Sequence, residues 1–393
     1  VRTLAIESLS VRHLRNLESV DVAFCPGFNV LSGENGQGKT NLLEAIYAVS
    51  TSRSFRTHKA AELVAHGQSI GSARASVVES GLRREQSIGI QSGARRLTID
   101  GKRPPTSAAY AVKTPAVVFH PAEVALSMGG GGDRRRLLDR LSLYLVPASF
   151  SDLERYSRAL RERQRALELR GVAARDVPEW EELMVRHGVA ITEARAEASL
   201  RLAAGAREAF ARIAEPLAPL EIQYAPGSPL EAQAFRDALA ASRMKDARRG
   251  SASVGPHKDD LELRLDDRPV RGYASQGQHR AVVLALKSAE VEVIALARGV
   301  RPLLLLDDVS SELDRFRTRA LFAYLQQHEG QVFLSTTRPE LIDLAGSPGV
   351  PRRDFTLRGG VVMVTSETSG GHESPDLSST GVAEEGEPSA ESK

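Results

Sequence analysis

The sequence predicts an α/β protein: a mixed sheet interrupted by a mostly helical second lobe, then a disordered tail. Three observations carry this. Short runs of period-two or wholly apolar patterning fill residues 1–119 and return over 250–364. Between them, residues 120–249 recur at the three- and four-residue spacing of helices. From 365 to 393 the chain is Ser, Gly, Glu and Pro without periodicity, and such a segment buries too little surface to order.

The elements follow in order. LAIESLSV and LESVDVAF alternate as strands, FNVLS is a short apolar run, and NLLEAIYAV reads as helix. Strand patterning returns over about 74–119, with a hairpin turn at Asp100 and Gly101 and a buried strand in PAVVFH. DRRRLLDRLSLYL, FSDLERYSRALRERQRALELR and the stretch from PEWEELM to RIAEPL read as helices. In the last of these Trp180, Leu183, Met184, His187, Ile191 and Ala194 form an amphipathic stripe, which marks helix-on-helix packing and makes His187 a packed or solvent-facing residue rather than a ligand. Beyond 250, LELRL alternates, AVVLALKSAEVEVIALA is a helix, and PLLLLDD and QVFLSTT are buried strands, the order of a parallel α/β sheet.

Composition narrows the function classes. The 393 residues are 41% hydrophobic, enough for a sizeable core in one large domain or two to three smaller ones. Cys25 is the single cysteine, so no internal disulfide forms, which fits a reducing compartment. The N-terminal stretch lacks an apolar signal core, and no window reaches the ~18 uncharged apolar residues of a membrane span. A soluble, cytoplasmic protein with no membrane partner is expected. The net charge of +2 hides a division: residues 365–393 carry seven acidic residues against Lys393, near −6, which leaves the body near +8. A basic body attracts polyanions.

The chemistry concentrates at LSGENGQGKTN. Gly33, Glu34, Asn35, Gly36, Gln37, Gly38, Lys39 and Thr40 fit G-x-x-x-x-G-K-[ST] between a strand and a helix, with Asn41 next on that helix. Glycines let backbone N–H groups converge on an anion, Lys39 can reach the β- and γ-phosphates, the Thr40 hydroxyl can ligate Mg2+, and the helix turns its positive end to the phosphates. The four leucines before Asp307 make a central strand whose tip faces this loop. Asp307 is the candidate Mg2+ holder and Asp308 the candidate base that orients a water. Ser275, Gln276, Gly277 and Gln278 open a strong helical pattern and form a second potential anion site; taken alone, Ser275 is a helix cap.

Together these residues resemble the ATP-binding cassette superfamily and its SMC-like branch. Within that branch they are similar to the RecF family of bacterial recombination mediators. GPHKDDLEL from Gly255, DRRRLLDR from Asp133, and the pair Arg15 and Asn16 match runs of that family, and the resemblance covers about residues 1–364. Ala122 and Leu137 depart from its usual acidic and aromatic residues. The resemblance implies an ABC-type P-loop ATPase head built from 1–119 and 250–364, with 120–249 as an inserted helical lobe. It implies Mg-ATP held by Lys39, Thr40 and Asp307, and an ATP-dependent homodimer. In that dimer Ser275 and Gly277 of one copy complete the γ-phosphate site of the other, with Ser311 and Asp314 as the dimer loop. It also implies slow, DNA-dependent hydrolysis with Asp308 in place of a longer Glu, and work on duplex DNA beside single-stranded gaps in repair and the SOS response, with RecR and RecO as partners. Arg134, Arg135, Arg136, Lys245, Arg248 and Arg249 are the candidate DNA contacts. Arg15, Asn16, Arg53 and Arg56 are candidate nucleotide contacts, and His120 and Thr336 candidate γ-phosphate sensors. A transporter ATPase subunit would bring the loop and the Asp strand closer in sequence. A structural SMC protein would carry long heptads, and a metabolic P-loop kinase would need neither the Ser275 nor the Ser311 segment.

Overall fold

In this computed structural model, the described residues are 2–213, 219–308, 328–339 and 350–368. β1 (Leu4–Leu14) and β2 (Leu17–Ala23) pair across a tight turn, and β3 (Phe28–Ser32) leads through the glycine loop into α1 (Lys39–Thr51). β4 (Ile70–Glu79), β5 (Leu82–Gln91) and β6 (Ala94–Ile99) complete an antiparallel sheet ordered β2-β1-β4-β5-β6. Asp100 and Gly101 both take positive φ, 50° and 75°, as the expected turn requires.

After α2 (Ser107–Ala111) and β7 (Ala116–Phe119) the chain becomes helical: α3 (Ala125–Met128), α4 (Gly131–Leu145), α5 (Ser149–Arg170) and the 37-residue α6 (Val177–Ile213). The run is not helical throughout. β8 (Leu220–Ala225) precedes α7 (Ala232–Arg249) and pairs with β9 (Asp260–Leu265), which also pairs with β10 (Arg268–Pro269). The pairing therefore crosses the 249/250 boundary expected from sequence. α8 (Val270–Tyr273) and α9 (Gln276–Arg298) follow, then β11 (Leu303–Asp307), β12 (Val332–Thr336), β13 (Arg352–Arg358) and β14 (Val361–Thr368). β14 runs past the Thr365 at which sequence starts the tail, because its ladder with β13 continues to Arg352–Thr368.

The central sheet is ordered β14-β13-β3-β12-β11-β7, and only the β14 pairing is antiparallel. Alternation divides it between two cores. Val30, Val117, Phe119, Leu304, Leu306 and Leu334 face α4, α6 and α9. Leu31, Val118, Leu303, Leu305 and Phe333 face α1 and the antiparallel sheet. Burial on both faces is why β11 reads as an unbroken leucine run. A separate core of Tyr156, Ala159, Met184, Val185, Ile191, Phe235 and Leu239 joins α5, the first half of α6 and α7. His187 packs there against Asp152, Nδ1 to Oδ1 2.9 Å. Among the described residues, no helix is long and apolar enough to cross a membrane.

Candidate functional site

Parallel pairing brings the C-terminal ends of four strands to one edge. In register lie Ser32 with Thr336, Ser335 with Asp307, and Leu306 with Phe119, so His120 falls beside Asp307. The glycine loop springs from this edge. Gly33 takes φ 140°, and a Cβ there would lie 2.6 Å from the Leu357 carbonyl oxygen on β13. Gly38 takes φ 111°, with Asn16 Oδ1 only 3.0 Å from where a Cβ would sit. No L-residue with a side chain fits either place.

Lys39 is 7% exposed, and its Nζ donates to the carbonyls of Gly33 (2.6 Å) and Glu34 (2.8 Å). Burial pulls its pKa below the usual lysine value, against the opposing pull of Asp308 and Asp307. Thr40 Oγ1 donates to Asp307 Oδ1 at 2.8 Å, and Ser335 Oγ donates to the same oxygen at 2.8 Å. Ser335 Oγ in turn accepts from the Asp308 N–H at 3.0 Å, where Asp308 takes φ 48°. A hydroxyl and a carboxylate oxygen side by side are the hard donors that suit Mg2+ carried in by phosphates.

The loop is braced from several elements. Gln37 accepts from Gly360 N on its carbonyl (3.0 Å) and from Gly359 N on Oε1 (2.6 Å), both in the β13–β14 turn. Asn41 Nδ2 donates to Asn16 Oδ1 at 2.7 Å, and Arg56 Nη1 donates to Asn41 Oδ1 at 2.8 Å. Beneath them Glu44 is 0% exposed and receives Arg15 Nε and Nη2 at 2.9 and 3.0 Å, together with Arg56 and the Ser54 hydroxyl. Sequence reasoning missed Glu44 and Ser335. A lone charge inside the apolar run LLEAIYAV was the available signal for Glu44. Ser335 had none, because its role depends on strand register. Arg53 lies over the Phe150 ring, 5.7 Å from its centre, rather than among these groups.

Ser275 caps α9 in a capping box: its Oγ accepts from Gln278 N (3.2 Å) and its N–H donates to Gln278 Oε1 (2.7 Å). Ser275 and Gln276 are exposed, and Gly277 and Gln278 half-buried. Ser311 and Asp314 lie outside the described residues.

The arginine candidates separate. Arg134 is 5% exposed, pairs with Asp260 through Nε and Nη2 at 2.7 and 2.9 Å, and donates to the Leu126 and Gly129 carbonyls. It is a structural arginine, and the expectation that it touches DNA is withdrawn: it sits three and four residues before Leu137 and Leu138, on the inward stripe of α4. Arg135 donates to the Asp259 carbonyl at 2.6 Å, and exposed Arg136 pairs with Asp133. Lys245, Arg248 and Arg249 are exposed at the C-terminal end of α7, where positive charge also suits the helix dipole. The GPHKDD run is itself a packing hub: Asp259, 0% exposed, accepts from Arg195, the Tyr224 hydroxyl and Gly227 N.

The family described as RecF/RecN/SMC N-terminal domain matches residues 5–349. The DNA replication and repair protein RecF of Anaeromyxobacter sp. (strain Fw109-5) is 42% identical over 364 residues, covering 90% of this chain and 98% of that protein. The protein of the same name from Myxococcus xanthus (strain DK1622) is 36% identical over 372 residues, covering 92% and 97%. The solved structure of the recombination mediator protein RecF with ATP superposes with a TM-score of 0.81 at 27% identity, covering 93% of this chain and 100% of that one. The Smc head domain of Pyrococcus furiosus reaches 0.54 at 15% identity, a likeness of fold.

Proposed function

The chain belongs to the RecF/RecN/SMC N-terminal domain family, on its RecF branch, and from that premise we propose that it is an ATP-switched DNA-binding protein of recombinational repair. Mg-ATP draws two copies together head to head on duplex DNA near single-stranded gaps, and slow, DNA-stimulated hydrolysis releases them. Residues 1–119 and 250–364 act as the ATPase head and 120–249 as its inserted lobe, with β8 of the lobe paired to β9 of the head.

One observation carries the reading. The chain builds one half of a nucleotide site internally, with Lys39, Thr40 and Asp307 converging on a braced loop, while Ser275 and Gln276 are exposed and Ser275 is tied to Gln278 in its own capping box. An exposed, preformed helix start is a ready anion site for another molecule's phosphate.

In this reading Lys39 leaves its two loop carbonyls for the phosphates, and the backbone N–H groups of residues 33–40 cradle them. Thr40 and Asp307 would hold the Mg2+, whose chemistry when bound is to neutralise phosphate charge. Asp308 orients the attacking water. Its side chain is one methylene shorter than Glu, and a ~1 Å displacement costs about a hundredfold, so turnover is slow. On the partner copy, Ser275 and Gly277 close over the γ-phosphate. Arg136, Lys245, Arg248 and Arg249 are the remaining candidates for the duplex, with Arg135 at the edge of that set. Recombinase loading with RecR and RecO, a role in the SOS response and a cytoplasmic location belong to the same proposal.

Sedimentation of the full chain at micromolar concentration, with Mg-ATP, with ADP and without nucleotide, tests it. A dimer only with ATP, on which gapped duplex raises hydrolysis, is the expected result. An unchanged monomer mass in all three would overturn the sandwich. Rapid phosphoryl transfer to a small acceptor without DNA would favour a kinase instead.

A further inference from the structure

A chain of contacts runs from the nucleotide edge to the helix that begins at Ser275. His120 directly follows β7, and continuing the Leu306–Phe119 register sets it opposite Asp307. Its ring lies 5.1 Å from that of Phe55, which meets the Tyr47 ring of α1 at 5.6 Å. On the other side His120 Nε2 is 3.5 Å from Glu123 Oε1, and Glu123 Oε2 is 3.3 Å from Lys287 Nζ on α9. Lys287, 1% exposed, also pairs with Glu290 at 2.6 Å, and Glu290 receives Arg140 of α4 at 2.8 Å.

These charges are buried and mutually dependent. Burial alone would raise the Glu123 carboxyl, yet Lys287, His120 and Arg140 together hold it down at about 2. Glu290 is likewise lowered against its burial, by Arg140 and Lys287. Removing either partner of such a pair strands the other in a low dielectric. Around this line the packing is open. A pocket of about 260 Å³ separates the segment after β7 from the first turns of α9, lined among others by Pro121, Val124, Met128, Gln276 and Arg280. Two polar ties join the same elements: Glu123 with Lys287, and Ser127 Oγ with His279 Nδ1 at 3.0 Å. The first turns of α9 thus meet the β7 end both through the core they share, where Ala281, Val282 and Leu284 pack with Val117 and Phe119, and through these two polar ties beside the pocket.

We propose that Glu123 is a positioning residue: it fixes His120 beside Asp307 and, through Lys287, makes that position and the Ser275 end of α9 move as one piece. This deepens the reading above and rests on it. A change at the phosphate edge is passed to the surface that the second copy meets, through one carboxylate with a partner on each side.

The test uses the full chain in a Ser275→Arg background, so that coupling is read within a single copy whether or not dimers form. Hydrogen exchange of amides 276–284 is followed with and without Mg-ATP, for Glu123 intact and for Glu123→Gln, Glu123→Asp, Lys287→Met and the Gln/Met double variant. With Glu123 intact, ATP should slow exchange about tenfold; Glu123→Gln should leave less than about twofold, and Glu123→Asp should recover most of the effect. The double variant should be no worse than the worse single. In the wild-type background, kcat should fall with Glu123→Gln while KM for ATP stays within about twofold, a split that general loosening does not produce. Equal ATP-dependent slowing with and without Glu123, additive losses in the double variant, or no slowing with Glu123 intact would each overturn the proposal. Failure of the dimer reading would instead show as a wild-type monomer in ATP with this coupling still present.

Discussion

Replacing Arg163 with Met should unfold the helical lobe at markedly lower denaturant. The guanidinium is 0% exposed and makes four contacts: Nε to Glu181 (2.9 Å), Nη1 to Asp246 (2.9 Å), Nη2 to the Leu239 carbonyl (3.1 Å) and to Ser242 Oγ (3.3 Å). Breaking a buried ion pair from one side costs about 3–5 kcal/mol. Both stranded carboxylates keep help. Glu181 retains Arg243, and Asp246 retains Ser242 Oγ (2.7 Å), Ser253 N (2.9 Å) and Ser253 Oγ (2.7 Å). The loss therefore falls near the lower bound, about 3 kcal/mol. Trp180, the only tryptophan of the sequence, precedes Glu181 on α6, so its fluorescence reports this lobe directly. With an m-value of about 2 kcal/mol/M in urea, the midpoint should fall by about 1.5 M. Adding Asp246→Asn should recover roughly half of that by removing one stranded charge. A shift below about 0.3 M, or a rise, would refute the claim that Arg163 balances the charge of this core.

Lys39→Met and Ser275→Arg should separate two steps: the first weakens ATP binding about ten- to a hundredfold in a nucleotide-fluorescence titration, the worth of a charged hydrogen bond, while the second keeps that affinity and stays monomeric in sedimentation. Asp308→Glu should hold or raise the rate of phosphate release, and a large loss would show that reach is not what slows the step. His328 is buried with Arg301 beside it, and burial first, then that charge, depresses its pKa from 6.5 to about 4. Between those values the unfolded chain binds the extra proton, so this group's stabilisation is full above pH 6.5 and is lost as pH falls toward 4. It amounts to roughly 3 kcal/mol at 1.36 kcal/mol per unit, and His328→Leu should flatten the melting profile over that window.

What was legible in the sequence is what is local. The loop of residues 33–40, the leucine strand ending at Asp307, the α9 start at Ser275 and the long helices each announce themselves within a few residues. β8 escaped because its inward residues, Leu220 and Ile222, span too few alternations to stand out beside a 37-residue helix. The run of three arginines looked uniform, yet helical periodicity turns Arg134 inward to Asp260 and leaves Arg136 in solvent. Ser335 under Asp307, and Gly359 on Gln37, are set by pairings between residues far apart in the chain, which no local pattern encodes.

The grip of the β13–β14 turn on the glycine loop has a consequence for how the protein is made. Gly359 and Gln37 are 322 residues apart. A ribosome that has finished Lys39 needs about 16–64 s, at ~5–20 residues per second, before the turn that clamps its loop exists. During that interval the nascent chain has its glycine loop but not the turn that braces Gln37, so the loop is held only by contacts made earlier in the chain. A product terminated before Gly359 would therefore carry every residue of the glycine loop yet leave Gln37 without its two backbone donors.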